Sequence, residues 1–331
     1  MQRSHFVCEG RSGTGLELMR VLVTGASGFV GQWVVKGLIR RGHSVIAVGR
    51  RNVPVDADAS GPIQWRSCNL LDQADVESLV ASEQAAGLIH CAWDTTPGAY
   101  WTSSENLKWV AGSLHLLEAF VRCGGRRVVI AGTSAEYDWS GDETLHEDTS
   151  AVVPGTLYGT AKNSLHHILQ QWTPTNDLSL AWGRIFCPYG PGENAARLVP
   201  RLIQALSSGE PLPFDSGSLI RDFLCVKDVG DAFAEVFDSG FEGTVNVASG
   251  CELSIGELVR MISRCVGNER VDFGTLPDPI DQPHRIVADT TRLNRVVGWT
   301  PSRSNEARIL ETCQSIQHPA QGVMPDRPHH H

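Results

Sequence analysis

From Val21 onward, short apolar runs alternate with longer stretches whose apolar residues recur at helical spacing. Val21–Thr24, Ser44–Val48, Gln64–Arg66, Gly87–His90, Arg127–Ala131 and Ser179–Trp182 read as strands. Val30–Arg41, Asp75–Ser82, Asn106–Cys123 and Ala161–Trp172 read as helices. Alternation of this kind predicts an α/β fold, a doubly wound parallel sheet with helices on both faces. Strands buried on both faces are apolar throughout, as Val128-Val-Ile-Ala131 is.

After about Arg184 the pattern changes. Prolines 188, 191, 200, 211 and 213 cut the chain into shorter pieces, which predicts a second, smaller α/β region beside the main sheet. Asp222-Phe-Leu-Cys-Val226 and Thr244-Val-Asn-Val247 read as returns to that sheet. The expected division is 19–183, with returns near 222–247, for the first domain and 184–221 plus 248–318 for the second. Met19-Arg20 leads straight into a strand, so residues 1–18 read as a disordered extension, and 319–331 as a polar tail ending in a histidine tag remnant.

Composition narrows the class. A formal charge of −9 over 331 residues opposes binding to nucleic acid or an anionic membrane. No run approaches the ~18 apolar residues of a membrane span. The nine cysteines are scattered, without a Cys-x-x-Cys pair, and read as buried apolar residues of a cytoplasmic protein, not as a disulfide framework or metal site.

The chemistry begins at Gly25-Ala-Ser-Gly28-Phe-Val-Gly31, between a strand and a helix. Gly25 and Gly28 leave room for a pyrophosphate, Gly31 lets the helix approach the sheet, and Ser27, Phe29 and Val30 complete the turn beneath the helix's amide end. After the second strand come Arg50 and Arg51, where an acidic residue would hold an adenosine ribose diol. Guanidiniums there suit a 2′-phosphate, so NADP(H) is favoured over NAD(H). Asn69 and Leu70 after the third strand, with Cys91 and Ala92 after the fourth, are the remaining cofactor-side candidates.

Tyr158-Gly-Thr-Ala-Lys162 supplies a phenol and an ammonium at i and i+4, on one helix face. The ammonium lowers a phenol pKa that is otherwise near ~10 and also meets the nicotinamide ribose. Ser134, 24 residues before Tyr158, lies just past an apolar strand and would orient the reacting oxygen. With the glycine loop upstream, the set specifies hydride and proton exchange with an alcohol or ketone.

These residues, with Tyr189-Gly-Pro-Gly192, Arg221-Asp-Phe223, Val226-Lys-Asp228, Asn246, Ala248-Ser-Gly250 and Gly298-Trp-Thr-Pro301, make the chain resemble the extended short-chain dehydrogenase/reductases. The resemblance is to the NAD-dependent epimerase/dehydratase group acting on nucleotide sugars, over about Arg20 to Ile316. It implies a Rossmann-type sheet with a C-terminal substrate domain, and a homodimer pairing Asn106–Cys123 and Ala161–Trp172. It implies substrate contacts at Glu136, Cys187, Arg197, Arg221 and Arg285, the last two gripping the diphosphate. Arg221 has a second reading, an ion pair with Asp222 or Asp228.

Departures narrow the reaction. Dehydratases carry Thr-Asp-Glu where this chain has Ser134-Ala135-Glu136, and Ala135 removes the acid that protonates a departing hydroxyl. Glu136 is either a second acid/base or a structural hydrogen-bond partner. Cys187 replaces an asparagine that contacts substrate in the family. The expectation is an NADPH-dependent reductase of a nucleotide-linked keto-sugar, a 4-keto-6-deoxyhexose, with Tyr158 as proton donor. The alternatives are an NAD-dependent 4-epimerase, a ketoreductase whose substrate carries no nucleotide, and a non-catalytic dinucleotide sensor.

Overall fold

The computed structural model describes residues 18–50 and 62–317; Arg51 and both chain ends (1–17 and 318–331) lie outside the described residues. In chain order the strands are β1 (Arg20–Thr24), β2 (Ser44–Gly49), β3 (Ile63–Ser67), β4 (Gly87–His90), β5 (Arg127–Thr133), β6 (Ser179–Ile185), β7 (Cys187–Tyr189), β8 (Leu212–Pro213), β9 (Ile220–Arg221), β10 (Phe223–Cys225), β11 (Gly243–Val247), β12 (Leu253–Ser254), β13 (Val271–Asp272) and β14 (Arg285–Ile286). The helices are α1 (Gly31–Arg40), α2 (Gln73–Glu83), α3 (Glu105–Arg122), α4 (Leu157–Trp172), α5 (Leu198–Ser207), α6 (Val226–Asp238), α7 (Ile255–Val266) and α8 (Asn305–Gln317).

Seven strands form one sheet in the order β11-β6-β5-β4-β1-β2-β3, parallel throughout. This is the Rossmann-type arrangement. Its strand order reverses between β1 and β4, and ligands of such sheets bind beyond the carboxyl ends of the strands there. Helices α1 and α6 cover one face through a core containing Val34, Leu38, Phe233 and Phe237. The other face packs on α2, α3 and α4 through Val76, Leu116, Phe120 and Leu165. A separate core around Leu202, Leu258, Ile262 and Ile309 joins α5, α7 and α8.

Two expectations need correction. Phe223–Cys225 does not return to the main sheet; it pairs with β7 in a two-stranded sheet, and Val226 starts helix α6 instead of ending a strand. Phe223 and Cys225 are buried in the core shared with α5, α7 and α8, and α6, which follows, packs closely on α1, where a Cβ on Gly37 would lie 3.0 Å from Gly230 O. Arg184 also belongs to the first sheet, because β6 stays paired with β5 and β11 through Ile185. Thr244–Val247 does return, as the edge strand β11. Among the described residues no helix is long and apolar enough to cross a membrane, and no His/Cys/Asp/Glu cluster could hold a metal.

Candidate active site

The glycine loop closes the gap between β1 and β4. Gly25 has φ +66°, a conformation that favours glycine, and a Cβ there would sit 2.8 Å from Ala92 N. A Cβ on Gly31 would collide with Gly25 O. Ser27 and Gly28 are exposed, while Phe29 and Val30 are half-buried. No side chain caps the first turn of α1 and no acidic residue stands in it, so its amide end is open to an anion. These features fit a dinucleotide pyrophosphate. Cys91 and Ala92 form the facing wall. That wall is tied to β1 through buried His90, whose ring bridges Thr24 Oγ1 (2.7 Å) and Ser113 Oγ (2.9 Å), while Ala92 N reaches the same Thr24 oxygen at 3.4 Å. Burial, with Lys162 nearby, pulls the His90 pKa down to about 3, so it stays neutral. Arg50 is exposed at the end of β2. Asn69 Oδ1 accepts from Leu71 N at 3.2 Å, and Leu70 lies in the core under α3.

Tyr158 and Lys162 occupy the first turns of α4, which is capped by Thr156 Oγ1 accepting from Gly159 N at 3.1 Å. Both are buried, at 8% and 2% exposure. Burial raises the phenol's pKa, and the nearby Thr133 side chain acts against that rise. Thr133, the last residue of β5, is thus the hydroxyl that acts on the phenol's ionisation, where Ser134 was expected to. Ser134, also buried, opens a short 3₁₀ turn, Ser134–Glu136. Lys162 Nζ donates to Ala131 O at 2.7 Å and lies 3.9 Å from the centre of the Trp93 ring. Burial lowers its pKa to about 7, against the opposing charge of Glu136.

Glu136 faces inward. It is fully buried and accepts hydrogen bonds from Thr133 N (2.9 Å), Trp182 Nε1 (3.0 Å) and Arg184 Nε (2.8 Å). Of its two expected roles the structure shows the structural one: with both oxygens engaged in the core, Glu136 is not placed as a substrate contact. Its neighbours on β6, Trp182 and Arg184, were not anticipated as its partners.

Sequence reasoning also missed an aromatic enclosure. The loop between β4 and α3 brings Trp93, Tyr100 and Trp101 around Tyr158, with ring centres 6.4, 5.0 and 5.8 Å away. Trp139 packs edge-on against Trp101 at 6.4 Å. The clustering of Trp93, Tyr100 and Trp101 just after β4 was the available signal. Arg197 joins this group, over the Tyr100 ring at 5.1 Å and donating to Thr95 O at 3.1 Å. Trp139, which packs on Trp101, lines a cavity of about 760 Å³ together with Val153, Thr156 and His284. A smaller cavity of about 160 Å³, lined by His166, Gln170 and Trp182, touches none of the catalytic side chains.

The two arginines expected to grip one diphosphate do not converge. Arg285 pairs with Ile220 and Arg221 with Ile286 in the β9–β14 register, so the two side chains leave opposite faces of that ribbon. Arg285 is held by Glu252, Thr144 Oγ1 (3.0 Å) and Asp142 O (2.7 Å). Arg221 is 8% exposed and, among the described residues, donates to the carbonyls of Ile220 (2.8 Å) and His284 (3.2 Å). The ion pairs considered for it do not form: Asp222 accepts from Ser249, Gly250 and Ala288, and Asp228 pairs with Arg308. Burial lowers the pKa of Arg221, which lies within electrostatic reach of Cys187 on β7.

This geometry agrees with comparison to known proteins. Residues 21–248 match the model of the NAD dependent epimerase/dehydratase family. UDP-glucose 4-epimerase of Mycolicibacterium smegmatis is 27% identical, over 92% of this chain and 100% of that protein. dTDP-glucose 4,6-dehydratase of Neisseria gonorrhoeae is 24% identical, over 89% of this chain and 94% of that protein. The solved structure of MoeE5 in complex with UDP-glucose and NAD superimposes with a TM-score of 0.76 at 26% identity, over 90% of this chain and 98% of that one. An open helix end above a glycine turn, a buried Tyr/Lys pair at the sheet's carboxyl edge and the matched sequence model agree: the chain is an oxidoreductase-type enzyme that belongs to the NAD dependent epimerase/dehydratase family.

Proposed function

We propose that this enzyme reduces a nucleotide-linked 4-keto-6-deoxyhexose at its ketone, using NADPH. The observation that carries the reading is the Thr133/Tyr158/Lys162 set, followed in sequence by Ser134-Ala135 instead of two acids. With Thr133 as the hydroxyl, the dehydratase Thr-Asp-Glu triplet falls on Thr133-Ser134-Ala135, and both acids are missing. The nearest carboxylate in sequence, Glu136, is spent in the core. Gly25, Gly28, the first turn of α1 and Lys162 would hold the dinucleotide, which supplies the hydride when bound. Tyr158 gives its proton to the substrate oxygen while Thr133 holds that oxygen by a hydrogen bond. Lys162 stabilises the phenolate left behind. Arg221, a buried guanidinium with no carboxylate partner among the described residues, is the diphosphate contact in this proposal. Arg50, directly after β2 where an acidic residue would hold a ribose diol, supports the NADP(H) preference.

A second reading, an NAD-dependent 4-epimerase, draws on the relatives: one is a UDP-glucose 4-epimerase, and MoeE5 was solved with UDP-glucose and NAD. The separating experiment measures NADPH and NADH oxidation against a panel of NDP-4-keto-6-deoxyhexoses, together with the cofactor content of the purified protein. NADPH oxidation by cofactor-free enzyme is the expected result. Tightly bound NAD(H), with NDP-hexose interconversion and no need for added NADPH, would establish the epimerase. A homodimer through α3 and α4 belongs to the same proposal; these helices expose Leu107 (60%) and Ile168 (46%), and sedimentation velocity tests it.

A further inference from the structure

The ammonium of Lys162 rests on the face of an indole. Its Nζ lies 3.9 Å from the centre of the Trp93 ring and donates to Ala131 O at 2.7 Å. The start of α3 holds that ring in place. Trp93 Nε1 donates to Asn106 Oδ1 at 2.8 Å, and Trp109 stacks on the ring with centres 6.2 Å apart. Asn106 is itself fixed, 2% exposed, with Nδ2 donating to the carbonyls of Tyr100 and Ser103 at 2.8 Å each.

Burial works against the charge on Lys162. The titratable groups around it are His90 and Cys91 at the end of β4, Glu136 in the turn after β5, and Tyr158 one turn back on α4. Burial keeps the His90 ring neutral and pushes the Cys91 thiol up to about 12, so neither carries charge near neutral pH. Glu136 is the carboxylate that acts on the lysine, and its oxygens are already engaged by Trp182 and Arg184. The electron-rich face of Trp93 lies against Nζ itself.

We propose that Trp93 is a positioning residue, whose ring face keeps Lys162 in its ammonium form and in place beside the Tyr158 side chain. A carboxylate in the same position would cancel the charge that a phenolate needs. An indole face favours that charge without cancelling it, and most strongly where water does not compete. The use of the ammonium in turnover rests on the proposed ketoreductase reading; its retention by the ring does not.

The test titrates the lysine directly. The chain has four lysines, Lys36, Lys108, Lys162 and Lys227, so ¹³C-lysine labelling of the full-length protein gives few signals, and Lys162 is assigned by its loss in Lys162→Met. Tetrafluorotryptophan placed at position 93 alone keeps the shape of the ring and its N–H but removes the negative face. The expected result is a Lys162 titration about 0.5–1.5 pH units below that of the wild type. Trp93→Phe, which keeps a weaker face, should lie between the two. An unchanged titration in the fluorinated protein overturns the inference. So does a Lys162 in Trp93→Phe that moves up towards 10.5, the result expected if the ring only excluded water. The pH at which NADPH-dependent reduction declines should move with the lysine. A shifted Lys162 with an unmoved rate profile, or with no reduction at all, instead removes the ketoreductase reading and leaves the role of Trp93 standing.

Discussion

Replacing Glu136 by glutamine separates a core carboxylate from a catalytic one. The side chain is fully buried and holds three donors, the Thr133 amide, the Trp182 indole and the Arg184 guanidinium, within 3.0 Å. Glutamine removes the charge facing Arg184, itself only 3% exposed and with one guanidinium nitrogen already unpartnered. It also turns an amide donor towards groups that are donors. His166 cannot take over, because burial lowers its pKa to about 3. Removing one partner of a buried ion pair costs about 3–5 kcal/mol, since the other charge stays buried and uncompensated. Urea unfolding followed by circular dichroism should show a loss of that size. In Arg184→Met the same pair is broken from the other side. The double variant should be less destabilised than the sum of the two, by about 1–3 kcal/mol. A Glu136→Gln protein within about 0.5 kcal/mol of wild type whose kcat falls more than 100-fold would refute the reasoning and return Glu136 to the acid/base role.

Three further outcomes are expected. Thr133→Val should lower kcat/KM for reduction by about 100-fold while Ser134→Ala changes it less than about fivefold, and the reverse order would restore Ser134 as the oxygen's partner. Gly31→Ala, whose Cβ meets Gly25 O, should weaken NADPH binding at least about tenfold by fluorescence titration, because the turn beneath the cofactor must open; unchanged affinity contradicts the cradle. Lys162 titrates in the folded protein at about 7, well below its ordinary 10.5, so between those values the unfolded chain binds more protons. Stability should therefore rise with pH across that window, and the slope should vanish in Lys162→Met, while kcat/KM for reduction falls above about pH 7; a stability slope identical in both proteins would exclude a buried, depressed lysine.

The main sheet was legible because its strands are buried on both faces and stand between amphipathic helices, so period and composition agree. The glycine loop was legible for a related reason: Gly25 and Gly31 have steric requirements that few other residues meet. Phe223–Cys225 misled because a short apolar run looks the same whether it joins a seven-stranded sheet or a two-stranded one. The shift from Ser134 to Thr133 was illegible because adjacent hydroxyls differ only in whether the strand or the following turn holds them. Arg221 and Arg285 were paired by motif, yet strand register, which sequence does not reveal for two-residue strands, sends them to opposite faces. The aromatic enclosure was legible only as a cluster of rings after β4; that the loop folds over α4 onto Tyr158 is a tertiary contact outside that local pattern.

Asp222 marks where this molecule can be cut. Its buried carboxylate accepts from Ser249 N (2.8 Å), Ser249 Oγ (2.6 Å), Gly250 N (3.0 Å) and Ala288 N (3.3 Å). All four donors lie beyond residue 248, where the family match ends. A fragment trimmed to the matched region would keep the seven-stranded sheet but leave this carboxylate buried and without its donors. Asp222 thus ties the end of the matched region to Ser249, Gly250 and Ala288, and a fragment stopping at residue 248 should be less stable than one reaching past Ala288.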